Sequence, residues 1–211
     1  MQRAGHIRAF TLVELMVGLM VTSILLSAVA TLAFAMSSAS AACDDAASCQ
    51  AQLRQATVRL SELIANCKMI CAAPGTDLVV WNADANGNGL INVNELVYVE
   101  RGSAYTLLRL RRFYSATNPT RTIAQLALTT TKTQLLNLCT TSTTSLIPDC
   151  NDVQFKLLNG VQPPRTQSLA ITFGLTEDGA YQRHEIVAGL RCRSDYLLTS
   201  SNAIITTGDD D

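Results

Sequence analysis

Histidine is nearly missing from this chain of 211 residues: only His6 and His184 are present. That leaves little for chemistry that uses imidazole as acid, base or metal ligand. A surplus of either charge is missing too. Sixteen basic residues stand against 17 acidic ones, for a formal net charge of -1. No basic excess is left to neutralise a phosphate backbone, so no nucleic-acid partner is expected. Proline is absent before Pro74, and Gly18 is the only glycine between Phe10 and Asn66. Nothing in the first third of the chain therefore interrupts a helix. No internal repeat is evident. His184 and Glu185 are adjacent, so on a strand they face opposite ways, and no Ser or Cys nucleophile can be tied to them. No enzyme is expected. Disorder is excluded for most of the chain, which is 48% hydrophobic, and the length suits one domain with an appendage.

Cysteine is not scarce. Seven of them (Cys43, Cys49, Cys67, Cys71, Cys139, Cys150 and Cys192) favour an oxidising compartment, and an odd number leaves one outside intramolecular pairing. Cys139 and Cys150 enclose a short loop, at a separation suited to a local disulfide. Cys67 and Cys71 straddle an expected helix end and pair if the last turn unwinds, since the Cα atoms must approach within about 7 Å. Zinc is the rival reading for these four, but no CxxC pair exists and neither histidine is placed to help. Cys43 and Cys49 lie on different sides of a continuous helix, and Cys192, on an expected strand, is able to reach a helix cysteine. Spacing alone leaves the connectivity open.

Residues 15–36 run LMVGLMVTSILLSAVATLAFAM, without a charge. As a helix the run is roughly 33 Å long, enough for a hydrocarbon core of about 30 Å. Arg3 and Arg8 precede it and Asp44 and Asp45 follow, which places the short amino terminus in the cytoplasm and the remainder outside. Glu14 sits at the start of this run. A carboxylate within a membrane helix costs a few kcal/mol and implies a partner or a function. A cleaved secretory signal is the alternative, and Ser40-Ala41-Ala42-Cys43 resembles a degenerate lipoprotein box that would acylate Cys43. The apolar run is longer than the roughly 7–15 residues of a signal h-region, and Cys43 lies late.

Residues 5–19, GHIRAFTLVELMVGL, resemble the prepilin signature of type IV pilins and of the pseudopilins of type II secretion. The resemblance implies a leader, residues 1–9, removed by a prepilin peptidase between Ala9 and Phe10, with methylation of Phe10. It implies that Glu14 pairs with the terminal amine of a neighbouring subunit as helices bundle into a filament. The family has glycine where this chain has Ala9. The implied partners are other pilin or pseudopilin subunits and an inner-membrane assembly platform. The implied location is the bacterial inner membrane with a periplasmic head, then a periplasmic or cell-surface filament.

The resemblance implies an α+β fold, a long amino-terminal helix packed on an antiparallel sheet. Residues 10–36 are its transmembrane or filament-core half and residues 37–66 its amphipathic half. Cys49, Leu53, Ala56, Leu60, Ile64 and Cys67 recur at three- and four-residue steps, so the helix is expected to reach about residue 66, roughly 85 Å in all. The head, residues 67–198, reads as one sheet of four to six strands. Residues 77–81, 95–100 and 105–113 are strands, the last with its arginines expected on the wet face, contact of the Arg109–Arg112 cluster with an acidic neighbour or nucleic acid being the alternative. Residues 168–176 and 182–193 form a hairpin turning at Glu177-Asp178-Gly179. A Thr-rich stretch between them holds one weak helix near 123–138, and residues 199–211 are a mobile tail.

Residues 84–95 read DANGNGLINVNE and match the twelve-residue EF-hand calcium loop at its diagnostic positions. Asp84, Asn86 and Asn88 stand at positions 1, 3 and 5, Gly89 at the sharp turn, the Leu90 carbonyl at 7, Asn92 at 9 and Glu95 at 12. Calcium takes six to eight hard oxygens, and this spacing wraps them round one point. A polar hairpin turn is the alternative, since Asn-Gly occurs twice, but a turn does not require two acids eleven residues apart. With two carboxylates the expected dissociation constant is on the order of 10⁻⁴–10⁻³ M. The flanks read as strands, so calcium is expected as a structural clip. A loosely patterned head with this loop and many cysteines is similar to a minor subunit of the W or J type. The expected function is a filament subunit. The alternative is a membrane- or lipid-anchored envelope protein with a calcium-binding recognition head that never polymerises.

Overall fold

The computed structural model describes residues 11–73, 77–102, 107–147, 150–177, 180–192 and 194–205. The chain divides into two compact units, Met1–Ser48 and Cys49–Asp211, and helix α1 (Leu12–Asn66) contributes to both.

In the first unit α1 is apolar on every side. The span Leu12–Ala41 has a mean hydropathy of 2.2 and none of it is buried within the protein. By length and composition it is sufficient to cross a membrane. Its polar side chains are satisfied locally. Thr22, Ser23, Ser27 and Thr31 each donate a hydroxyl to a carbonyl three residues back, at 2.8 to 3.0 Å. That closure removes the cost of placing a bare hydroxyl in hydrocarbon.

The second unit holds two antiparallel sheets rather than the single one expected. Five strands follow one another in chain order: β1 (Met69–Ala72), β2 (Asp77–Trp81), β3 (Leu96–Arg101), β4 (Leu108–Tyr114) and β5 (Thr140–Ile147). A second sheet is β6 (Asn151–Leu157), β7 (Ser168–Glu177) and β8 (Ala180–Gly189). Two short helices, α2 (Ile123–Leu126) and α3 (Thr129–Leu138), occupy the region read as one helix, broken where Ala127 and Leu128 end α2.

Alternation along the strands gives the five-stranded sheet two buried faces. Leu78, Val80, Val97, Val99 and Leu108 join Ala56, Leu60 and Ile64 of α1 and residues of the second sheet in one apolar cluster. Val79, Trp81, Leu96, Tyr98 and Phe113 belong to the other, with Leu126 of α2 and Leu135 of α3. Each large side chain so buried contributes about 1.5–3 kcal/mol.

Strand β5 is TTSTTSLI, which the sequence presents as a loop between two cysteines. Threonine is a poor helix former but fits a pleated strand. The consequence for the cysteines is direct. Cys139 and Cys150 flank an eight-residue strand, whose ends lie roughly 25 Å apart at about 3.3 Å per residue, far beyond disulfide reach. Cys139 is a free thiol. Cys67 and Cys71 are free thiols as well, one in each of the two apolar clusters, so the proposed pairing across the helix end does not form. Strand β8 ends at Gly189, which leaves Cys192 beyond it, exposed.

The tail differs from expectation too. Residues 199–205 turn back on the fold, with Thr199 N–H donating to Ala203 O at 2.8 Å and Ile205 N–H to Leu197 O at 2.9 Å. Arg165 holds the turn through Asn202 and the Thr199 carbonyl. Residues 206–211, and Asp178 and Gly179 of the β7–β8 turn, lie outside the described residues.

Candidate functional site

Ala9 and Phe10 lie outside the described residues, but Glu14 does not. It occupies the first turn of α1, fully exposed, and its carboxylate is already engaged. Glu14 Oε2 accepts the N–H and the hydroxyl of Thr11, both at 3.0 Å, while Thr11 Oγ1 accepts the Glu14 N–H at 3.3 Å. Thr11-Leu12-Val13-Glu14 is thus a capping box: each side chain satisfies the other's orphan backbone donor, and the acid sits at the positive end of the helix dipole.

The loop at 84–95 joins β2 to β3, and its local conformation follows from its glycines. Gly87 and Gly89 have φ of +65° and +67°, a region that L side chains rarely adopt. The chain therefore coils tightly, and backbone N–H groups point inwards. Asp84 accepts from Asn88 N at 3.1 Å and from Gly89 N at 2.8 Å, and Asn88 Oδ1 accepts from Leu90 N at 2.8 Å. Residues 93–95 form a turn of 3₁₀ helix that swings Glu95 inward, 7% exposed. Its carboxylate accepts from Trp81 Nε1 and Ala85 N, both at 3.0 Å.

Three of the six expected ligand oxygens converge on one point. Asn92 Nδ2 lies 3.2 Å from Asn88 Oδ1, 3.3 Å from the Leu90 carbonyl oxygen and 3.5 Å from Glu95 Oε2. A half-turn of the Asn92 amide replaces that donor by a fourth oxygen. Asp84 is held at the loop's entrance with its side chain 2% exposed, and Asn86 lies in the same coil, accepting from Asn88 N at 3.1 Å. Among the described residues no three His, Cys, Asp or Glu side chains cluster as a metal site. The donor set is two carboxylates with amide and carbonyl oxygens, which suits a hard cation of calcium's size.

The far side of the loop is fastened to residues 115–121, which the sequence did not link to it. Val93 N–H donates to Pro119 O, Asn94 N–H to Asn118 Oδ1, and Arg121 N–H to Ile91 O, at 2.8 to 3.1 Å. Trp81 and Lys68 were missed as neighbours of the loop. The one legible signal was Trp81, an aromatic three residues before Asp84.

Arg109 and Arg111 do not form a wet face. Both turn to Glu100, which is 1% exposed. Arg112, on the other face of β4, lines a groove with Arg59 and Glu62 of α1. His184 stacks on Phe173, with ring centroids 5.8 Å apart, as part of the packing between β8 and β7.

Residues 6–30 match the prokaryotic N-terminal methylation motif family. No curated protein and no solved structure was found that matches the chain. The chain thus carries a methylation motif on a long apolar helix, followed by antiparallel sheets, in a pilin-like α+β architecture. Such a motif implies processing by a prepilin peptidase and assembly with pilin-like subunits.

Proposed function

We propose that this protein is a filament subunit, a minor pilin or pseudopilin of a type IV pilus or type II secretion-type assembly. The carrying observation is the methylation motif at the start of a helix whose span Leu12–Ala41 is unburied among the described residues. A surface of that length and apolarity needs either lipid or other helices around it. Pilin-like proteins are structural subunits rather than enzymes, which agrees with the scarcity of histidine. The anchor lies in the inner membrane before assembly, and the head lies outside it. Calcium bound by Asp84, Asn86, Asn88, Leu90, Asn92 and Glu95 stiffens the β2–β3 connection of the head, which meets neighbouring subunits or cargo.

A second reading is favoured by one specific observation. Glu14 Oε2 is engaged within its own chain by Thr11, so part of its demand for a partner is met without a neighbour's amine. In that reading the protein is a non-polymerising envelope protein with a calcium-binding head. The mass of the amino-terminal peptide from native membranes separates the two. A chain beginning at methylated Phe10, with filaments that disappear in Glu14→Ala, supports the filament subunit. An uncut Met1 or an acylated Cys43 overturns it. The calcium reading has its own test: a melting temperature unmoved by millimolar calcium, with no heat of binding, sinks it.

A further inference from the structure

Lys68 stands two residues beyond the end of α1, and its backbone places it against the loop: Lys68 N–H donates to Trp81 O at 2.9 Å. Its ammonium lies 3.8 Å from Asp84 Oδ2 and 5.4 Å from the centroid of the Trp81 ring. The same indole donates through Nε1 to Glu95 Oε2 at 3.0 Å. One cation is therefore tied to the first acid of the loop directly and to the last acid through a single ring. The Asp84 side chain is 2% exposed and that of Lys68 31%. A carboxylate so buried requires a counter-charge, and the structure puts this ammonium beside it.

We propose that Lys68 is a tethered counter-cation of the loop, holding residues 84–95 closed without calcium and competing with calcium at Asp84, so that it sets the affinity. This rests on the reading of the loop as a calcium site. The physical reasoning concerns charge. Asp84 and Glu95 supply two negative charges, and the ammonium offsets one before any ion arrives. A divalent cation at Asp84 must then displace Lys68 or be repelled by it across a few ångströms. The ammonium's seat over the indole face restrains its withdrawal, since cation–π attraction keeps it close even when Asp84 turns to another partner. A loop with two acids and a built-in competitor should bind only at high free calcium, such as outside the cytoplasm.

The test uses the full-length protein in detergent, with Lys68→Met and Lys68→Arg. Methionine keeps an unbranched apolar stem on Trp81 and removes the charge; arginine keeps the charge. Calorimetric calcium titrations at low salt and at about 0.5 M salt are paired with melting temperatures in chelator. Lys68→Met is expected to bind calcium roughly ten-fold more tightly at low salt, with the gain shrinking at high salt. The same variant should melt several degrees lower in chelator and recover once calcium is added, while Lys68→Arg resembles the parent. If the parent binds calcium and Lys68→Met binds it equally or less well, the role of Lys68 is overturned while the calcium site stands. If the parent binds none at millimolar concentrations, the calcium reading falls and takes this proposal with it.

Discussion

Arg111 Nε donates to Glu100 Oε1 at 2.7 Å, from β4 to β3, beneath helix α3. Arg109 Nε makes the same contact with Oε2 at 2.7 Å, and Lys132 Nζ of α3 lies 2.9 Å from Oε1 and 2.6 Å from Asp77 Oδ2. Burial by itself would raise the Glu100 carboxyl; the bonds from Arg111, Lys132 and Arg109 outweigh it and hold the group below the ordinary carboxylate range. These contacts fix how α3 lies on the sheet.

Glu100→Gln should destabilise the head by about 3 kcal/mol, because it replaces the buried acid shared by the partly buried Arg109, Arg111 and Lys132 with a neutral amide. Denaturant unfolding of the full chain checks it. The midpoint is expected to fall with little change in slope. A loss below about 0.5 kcal/mol would mean that these contacts are solvated.

Acid should act through the same residue. The folded pKa of Glu100 lies below its unfolded value of about 4.3, so its stabilisation is complete above that pH and is lost as pH falls through the folded value. Melting temperatures between pH 6 and pH 3 should drop at the acidic end. In Glu100→Gln the drop should be smaller.

Gly89 offers a backbone test. Its φ is +67° and no atom lies within 4 Å of a Cβ built there, so Gly89→Ala changes conformational preference without a clash. A cost of about 1 kcal/mol is expected, and less for Gly89→Asn, since asparagine tolerates this region. Equal melting temperatures for all three proteins would refute the turn geometry.

Thiol labelling of the native protein should separate the cysteines. Cys192 is exposed, whereas Cys67 and Cys71 are each 1% exposed. Burial pushes the Cys67 thiol up to about 12 and raises that of Cys71 as well. Iodoacetamide near pH 8 should modify Cys192 within minutes and reach the other two only after denaturation. Peptide mass spectrometry reads the order directly.

The amino-terminal helix was legible because its signal is local: an uncharged run, then apolar residues every third or fourth position. The tight turn at Gly89 was legible for the same reason, its place being specified by spacing. The second sheet was legible in part. Its hairpin was read, but β6 was not, although Val153, Phe155 and Leu157 alternate with Gln154 and Lys156 in strand fashion. The Arg109–Glu100 and Arg111–Glu100 pairs depend on strand register, which no single segment reveals. The expectation for Cys139 and Cys150 failed because closeness in sequence was taken for closeness in space, and a strand separates them. Cys192 does come near Cys67 at the end of α1, where Arg191 N–H donates to Ala65 O at 3.1 Å.

Strands β2 and β3 pair over five positions, from Asp77 opposite Glu100 to Trp81 opposite Leu96. Each end of this ladder is closed by charge: Lys132 bridges Asp77 and Glu100 at one, and Lys68 reaches Asp84 above Trp81 at the other. A slip of β2 by a single residue would swing Asp77 among the leucines that face α1 and draw Trp81 away from Glu95. Both clasps would open together, so the hairpin has one register to occupy and no neighbouring one to fall into.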